Sequence, residues 1–198
     1  MFRKHDSGFT LIELIVTIAV LAIVSMYAIP SFREVVMNNR LTAQTNEVTS
    51  LISYARSEAS KVLGGVVTVC GSTDGATCSG NNALETGIII FYDEDMDRTL
   101  DGSDELLKVQ GALGGGNSLR IRGMTSSGGN YIQFDSKGFP RSLSVGDDGS
   151  GTFIICDERG AGQARAVSIN ASGQAYLARD TDDNGILNDY DGNDISCP

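Results

Sequence analysis

The sequence predicts an α+β protein, with one long N-terminal helix, membrane-spanning in its first half, packed on a small antiparallel β domain. Three observations carry that expectation. An apolar run broken by a single acid opens the chain, a stretch with helical 3/4 spacing follows it, and short β-branched runs separated by glycine and aspartate fill the rest.

The apolar run covers Phe9–Ile29, 21 residues. As a helix it is about 31 Å long, enough to cross a hydrocarbon core. Met1–Gly8 before it is short, polar and basic, with Arg3 and Lys4 holding that end on the cytoplasmic side. In a secretory signal the apolar stretch precedes the cut and is discarded. Here the small residue Gly8 precedes the apolar stretch, so a cut after it keeps the stretch in the mature chain. Glu13 is the anomaly. A carboxylate in a membrane helix costs roughly 2.5–3.5 kcal/mol at the centre and less near the end. A cation that would repay it is the α-amino group that cleavage creates on Phe9.

Beyond Pro30 the helix is expected to continue to about Leu63, with domain boundaries at 1–8, 9–29, 30–64 and 65–198. Phe32, Val35, Val36, Leu41, Val48, Leu51, Ile52, Ala55, Ala59 and Val62 form its apolar stripe. Arg33, Glu34, Arg40, Glu47, Arg56, Glu58 and Lys61 are expected on the wet face, and Gly64-Gly65 ends the helix. Eight strands are expected after it: 66–70, 87–92, 106–109, 118–122, 131–135, 152–156, 165–169 and 174–178.

Four cysteines, Cys70, Cys78, Cys156 and Cys197, lie on the exported side of this topology, where disulfides form. Of three pairings, the reading favours Cys70–Cys78, closing a short Ser/Thr/Gly/Asp loop, and therefore Cys156–Cys197, tying the C-terminus to a strand. Zinc is the rival. It wants tight ligand spacing and usually a histidine, and neither is present.

The formal charge is −10, and loss of the leader with Arg3, Lys4 and Asp6 takes it to −11. So acidic a surface repels phosphate backbones unless its bases are grouped. Arg120 with Arg122, Lys137 with Arg141, and Arg159 with Arg165 are the candidate groups. Enzymatic function is not expected. The one histidine, His5, leaves with the leader, and no phosphate-binding or dinucleotide fingerprint occurs.

A calcium ligand set can be written for one acidic turn. Asp180, Asp182, Asn184, Asn188 and Asp191, with Gly185 at the sixth place, follow the order of a calcium loop. Asp191 replaces the usual glutamate, which shortens bidentate reach, so Ca2+ is an optional ligand and no cofactor is required. A second set, Asp93, Asp95, Asp97 and Asp101, has Arg98 where the loop wants glycine.

Gly8-Phe9-Thr10-Leu11-Ile12-Glu13-Leu14 resembles, without a mismatch, the signature of type IV prepilins and type II secretion pseudopilins. Further segments resemble the GspH/FimT family of minor pilins and pseudopilins. They are Tyr54–Ala59, Gly87–Asp97 with Asp104–Leu107, Phe134–Pro140, Thr152–Asp157 and Ala166–Gly173. The resemblance implies a pilin-like fold, cleavage between Gly8 and Phe9 by a prepilin peptidase, and N-methylation of Phe9. It gives Glu13 the task of meeting a neighbour's N-terminal amine during assembly, and places Pro30 where such helices bend or melt in filaments. It implies a minor subunit that primes or caps a type IV pilus serving twitching, adhesion or DNA uptake. A type II secretion pseudopilin and a DNA-receptor pilin are the alternatives. Implied partners are other pilin or pseudopilin subunits and an inner-membrane assembly platform. The implied location is a single pass of the inner membrane with the C-terminal domain in the periplasm, then the filament.

Overall fold

The computed structural model describes residues 8–62, 64–124, 131–141 and 148–198, so the leader residues Arg3 to Asp6 fall outside it. Helix α1 spans Leu11–Ala59, with Pro30 inside it. Proline has no N–H, so the helix passes that point without the bond to the Met26 carbonyl. The chain divides into two compact units within this helix, one ending at Asn39 and the other running from Arg40 to Pro198. Leu41, Val48, Leu51, Ile52, Ala55 and Ala59 are buried and belong to the domain core.

The helix also stops four residues short of Leu63, which itself is outside the described residues. Lys61 N–H reaches back three residues to Glu58, and Val62 N–H to Ala59, which tightens the last turn out of α geometry. The chain then leaves through Gly64 and Gly65, both at positive φ. A Cβ on Gly65 would lie 2.7–2.8 Å from the Tyr92 ring and the Asp93 carbonyl. Only glycine lets the backbone pass so close to the strand that carries Tyr92 and Asp93.

Eight strands follow: β1 Val66–Gly71, β2 Ile88–Asp93, β3 Glu105–Gln110, β4 Ser118–Gly123, β5 Tyr131–Phe134, β6 Gly151–Cys156, β7 Arg165–Ile169 and β8 Ala175–Leu177. They form two four-stranded antiparallel sheets, ordered β3-β2-β1-β5 and β4-β6-β7-β8. Strand side chains alternate between faces, and the sequence uses both. Val67, Val69, Ile88, Ile90, Ile132 and Phe134 of the first sheet join the helix in one core. Leu119, Ile121, Phe153, Ile155, Val167 and Ile169 of the second sheet join the same core.

Each sheet's other face carries a smaller apolar cluster under a stapled segment. Cys70, Ile89, Phe91 and Tyr131 form one, with Cys78 against it. Ile154, Cys156, Ala164, Ala166 and Ile195 form the other, with Leu187 and Cys197 against it. The staples are Cys70–Cys78 and Cys156–Cys197, with Cα–Cα separations of 5.6 and 5.9 Å. Inside the short loop the Asp74 carboxylate accepts N–H bonds from Ala76 and Thr77 and hydroxyl bonds from Thr77 and Ser72. These donors, Ala76 first, hold its carboxyl well below the usual range.

Candidate functional site

At the start of α1, Thr10 is the N-cap and Glu13 the third helical residue. Thr10 Oγ1 accepts the Glu13 N–H at 3.3 Å, while Glu13 Oε2 accepts the Thr10 N–H at 2.9 Å and its hydroxyl at 3.0 Å. This is a reciprocal capping box, which satisfies donors that a helix start otherwise leaves bare. The Ser/Thr-x-x-Glu pattern was readable in Thr10-Leu11-Ile12-Glu13, yet Thr10 as a partner of Glu13 was not part of the expectation. The carboxylate is therefore held in place but exposed. Gly8 and Phe9 are exposed before it, Phe9 at 91 %.

From Leu11 to Val36 every residue is exposed. The apolar side chains there find no cover among the described residues. α1 is long and apolar enough to cross a membrane, by length and composition.

Among the described residues, several of the domain's bases are paired with carboxylates. Arg120 is ion-paired to Glu85. Arg122 Nη1 lies 3.0 Å from Asp189 and 2.9 Å from the Asp194 carbonyl, while its Nη2 donates to Ser196 Oγ at 2.8 Å. Arg159 grips Asp157 at 2.6 Å. Arg141 donates to Met96 Sδ, Arg165 donates to the Ala164 carbonyl, and Lys137 is exposed. Of the six candidate bases for a phosphate surface, three are thus neutralised by carboxylates. Arg122 acts as a clasp on the C-terminal segment that also carries Cys197. Burial opposes ionisation of Asp189, but the Asn193 N–H, Arg122 and the Asp191 N–H outweigh it and hold the carboxyl below its ordinary value.

Arg56 departs from the expected wet face of α1. It is half-buried, with Nε donating to the Gly138 carbonyl at 3.1 Å and Nη2 to the Ser172 carbonyl at 3.0 Å. Gly173, at φ +77, closes the second of these turns. A Cβ there would come within 2.1 Å of the Gly138 carbonyl oxygen and 3.0 Å of Arg56 Nε. The partners of Arg56 lie 82 and 116 residues along the chain, so no local pattern announces them.

The acidic turns are knit by their own donors. Asp180 accepts N–H bonds from Asp182, Asn184 and Gly185. Asn184 Nδ2 bridges Asp182 to Asp194 at 2.9–3.0 Å. Asn188 Oδ1 accepts both the N–H and the hydroxyl of Thr181 at 2.7 Å, and Asp191 Oδ2 lies 3.5 Å from Asn193 Nδ2. The structure thus gathers Asp180, Asp182, Asn184, Asn188 and Asp194, with Asn188 Nδ2 donating to Asp194 Oδ1 at 3.1 Å, while Asp191 turns to Asn193. A cation held by the expected five residues would have to release Asn188 from Thr181. Among the described residues, Asp93, Asp95 and Asp97 are the carboxylates within 4.8 Å of one another. Asp93, fully buried, already accepts from Thr68, Gln133 and the N–H groups of Asp97 and Arg98.

The fold and the N-terminal segment together define a pilin: an N-terminal apolar helix with a methylation signature, carrying a helix-backed β domain. Comparison with known proteins agrees. The sequence model of the prokaryotic N-terminal methylation motif matches residues 3–29, and that of type II transport protein GspH matches residues 44–173. The chain belongs to the GspH family. It is 26% identical over 120 residues to a fimbrial protein of Pseudomonas aeruginosa, covering 61% of this chain and 76% of the relative. A crystal structure of the type IV minor pilin FimU of Pseudomonas aeruginosa PAO1 superposes with a TM-score of 0.52 at 18% identity. That match covers 70% of this chain and 88% of FimU, and it shows a shared fold.

Proposed function

We propose that this protein is a minor subunit that primes or caps assembly of a type IV pilus. A leader is cut between Gly8 and Phe9, Phe9 is N-methylated, and the first half of α1 sits in the inner membrane with the β domain in the periplasm. The observation that carries the reading is the apolar surface from Leu11 to Val36, uncovered in the single chain and headed by an exposed, pre-oriented Glu13. Such a surface needs lipid before assembly and other helices after it. The capping box keeps the carboxylate hydrogen-bonded while it waits, and the amine of a neighbour's Phe9 supplies the opposite charge on docking. Force comes from a motor ATPase on another chain.

The description of the family, type II transport, favours a second reading as a secretion pseudopilin, whose helix would work in the same way. Glu13→Ala and a gene deletion in the native host distinguish the two. Loss of surface filaments and twitching with normal secretion is the expected result. Loss of secretion with intact pili assigns the chain to the pseudopilus, and normal behaviour on both counts removes the assembly role of Glu13.

A further inference from the structure

We infer that the groove between the end of α1 and the β7–β8 turn is a receptor for an acidic, extended segment of a neighbouring subunit. The groove encloses about 780 Å³ and includes Arg56, Ser57, Gln174, Ala175 and Tyr176 in its lining. In a chain with 25 acidic residues, no Asp or Glu among the described residues lines it. Its cation is Arg56, fixed by two main-chain carbonyls. Carbonyl oxygens orient a guanidinium without cancelling its charge, unlike the carboxylates that hold Arg120, Arg122 and Arg159. Nη1 of Arg56 has no partner among the described residues. The exposed side chains of Ser57, Gln174 and Tyr176 add hydrogen-bond donors to the same groove.

The backbone beside it is equally open. Asn170 N–H bonds Gln174 O and Ala178 N–H bonds Ala166 O, with Ser168 opposite Tyr176 between them. Antiparallel alternation then turns the N–H and C=O of Ala175 and Leu177 away from β7. β8 is the last strand of its sheet, so those groups face the edge. An added strand pairs with such an edge through its main chain and places alternate side chains into the adjoining groove. A carboxylate there completes a rigid guanidinium, whereas a polyanion needs several cations and the groove lining offers one. That the donor of the segment is a neighbouring subunit rests on the filament reading. The donor chemistry of the groove does not.

The test uses the mature full-length protein in neutral detergent micelles. The probes are a capped Val-Asp-Val-Asp-Val peptide, its Asn counterpart, and a single-stranded oligonucleotide, with binding followed by calorimetry. Because Arg56→Gln would also release two turns and could unfold the domain, the decisive variant is Gln174→Glu, at an exposed position that sets a negative charge beside Arg56. Leu177→Pro, which removes an outward N–H from the edge, tests the strand pairing. Expected are saturable binding of the Asp peptide and at least tenfold weaker binding of the Asn peptide. Gln174→Glu is also expected to weaken the Asp peptide at least tenfold, and Leu177→Pro to weaken it measurably. No binding, equal binding of the two peptides, or indifference to Gln174→Glu overturns the proposal. Oligonucleotide binding that displaces the peptide and is lost in Gln174→Glu overturns it in favour of a phosphate ligand. A failed peptide assay with Glu13→Ala still abolishing filaments removes the groove and keeps the filament reading, and the converse result does the reverse.

Discussion

One helix carries two surfaces of opposite fate. Between Leu11 and Val36 its apolar side chains are all exposed, Leu11 at 75 % and Phe32 at 69 %. Between Leu41 and Ala59 the apolar stripe is sealed, with Leu41, Ala55 and Ala59 at 0 %. The two stretches differ both in composition, a nearly continuous apolar run against an apolar stripe with a polar face, and in what surrounds them. The sealed half has a sheet pair that it completes, and its burial is repaid within the chain by the hydrophobic effect. The bare half is repaid only by lipid or by other helices. On the proposed function, stability of the domain and assembly of the filament are written on separate stretches of one element, and substitutions should separate them.

The largest expected effect on stability comes from the staples of the domain. Cys156–Cys197 closes a sequence separation of 41 residues and Cys70–Cys78 one of 8. On loop-entropy grounds, Ser substitution of the first pair should cost about 4 kcal/mol and of the second about 2.5 kcal/mol. Denaturant unfolding of the two double variants under oxidising conditions checks the order. Membrane partitioning of the helix should be unchanged in both. A shift in partitioning would break the separation drawn between the two halves.

Next is a matched pair within the helix itself. Ile52→Ala opens a cavity in the common core and should lower unfolding free energy by about 3 kcal/mol. Ile18→Ala removes the same atoms from an exposed position and should leave domain unfolding unchanged while weakening filament assembly. Equal destabilisation by both would show that the first half is sealed against the domain after all.

How far the sequence revealed this division depends on the range of the interactions. The first half was legible because its signal is local: seven contiguous residues, an apolar length and a flanking charge. All eight strands were legible for the same reason, since alternation and glycine turns act over a few residues. The staples match the pairing favoured, out of three, for four cysteines in a chain read as exported. What escaped were the long-range polar contacts. Gln44 is buried because it donates to the Gly114 carbonyl and accepts from Asn117, partners 70 and 73 residues away. Arg56 looked like a wet-face residue until the Gly138 and Ser172 carbonyls came to it. The end of the helix was overestimated because Val62 continues the apolar spacing, while the approach of β2 to Gly65 is invisible in one dimension. Asp194, absent from the expected calcium set, meets Asn184 because the C-terminal segment folds back.

That fold-back supplies the smallest effect, and one confined to the sealed unit. Asp189 is buried beneath the Arg122 clasp with its folded carboxyl held below the unfolded value, which is about 3.9. A group depressed on folding contributes stability that is fully present above the unfolded value and is lost as pH falls through the folded one. Wild type should therefore be more stable than Asp189→Asn at pH 7, by less than either staple provides, and the gap should close as pH falls below about 4. Urea unfolding of both proteins at pH 7 and near pH 3 measures it. The depressed carboxyls of Asp74 and Asp157 remain in both proteins, so their acid sensitivity cancels in the comparison. A gap independent of pH would mean that Arg122 holds the C-terminal segment through the Asp194 carbonyl and Ser196 alone, with Asp189 contributing shape and not charge. Acid treatment would then loosen neither half of the helix by way of this clasp.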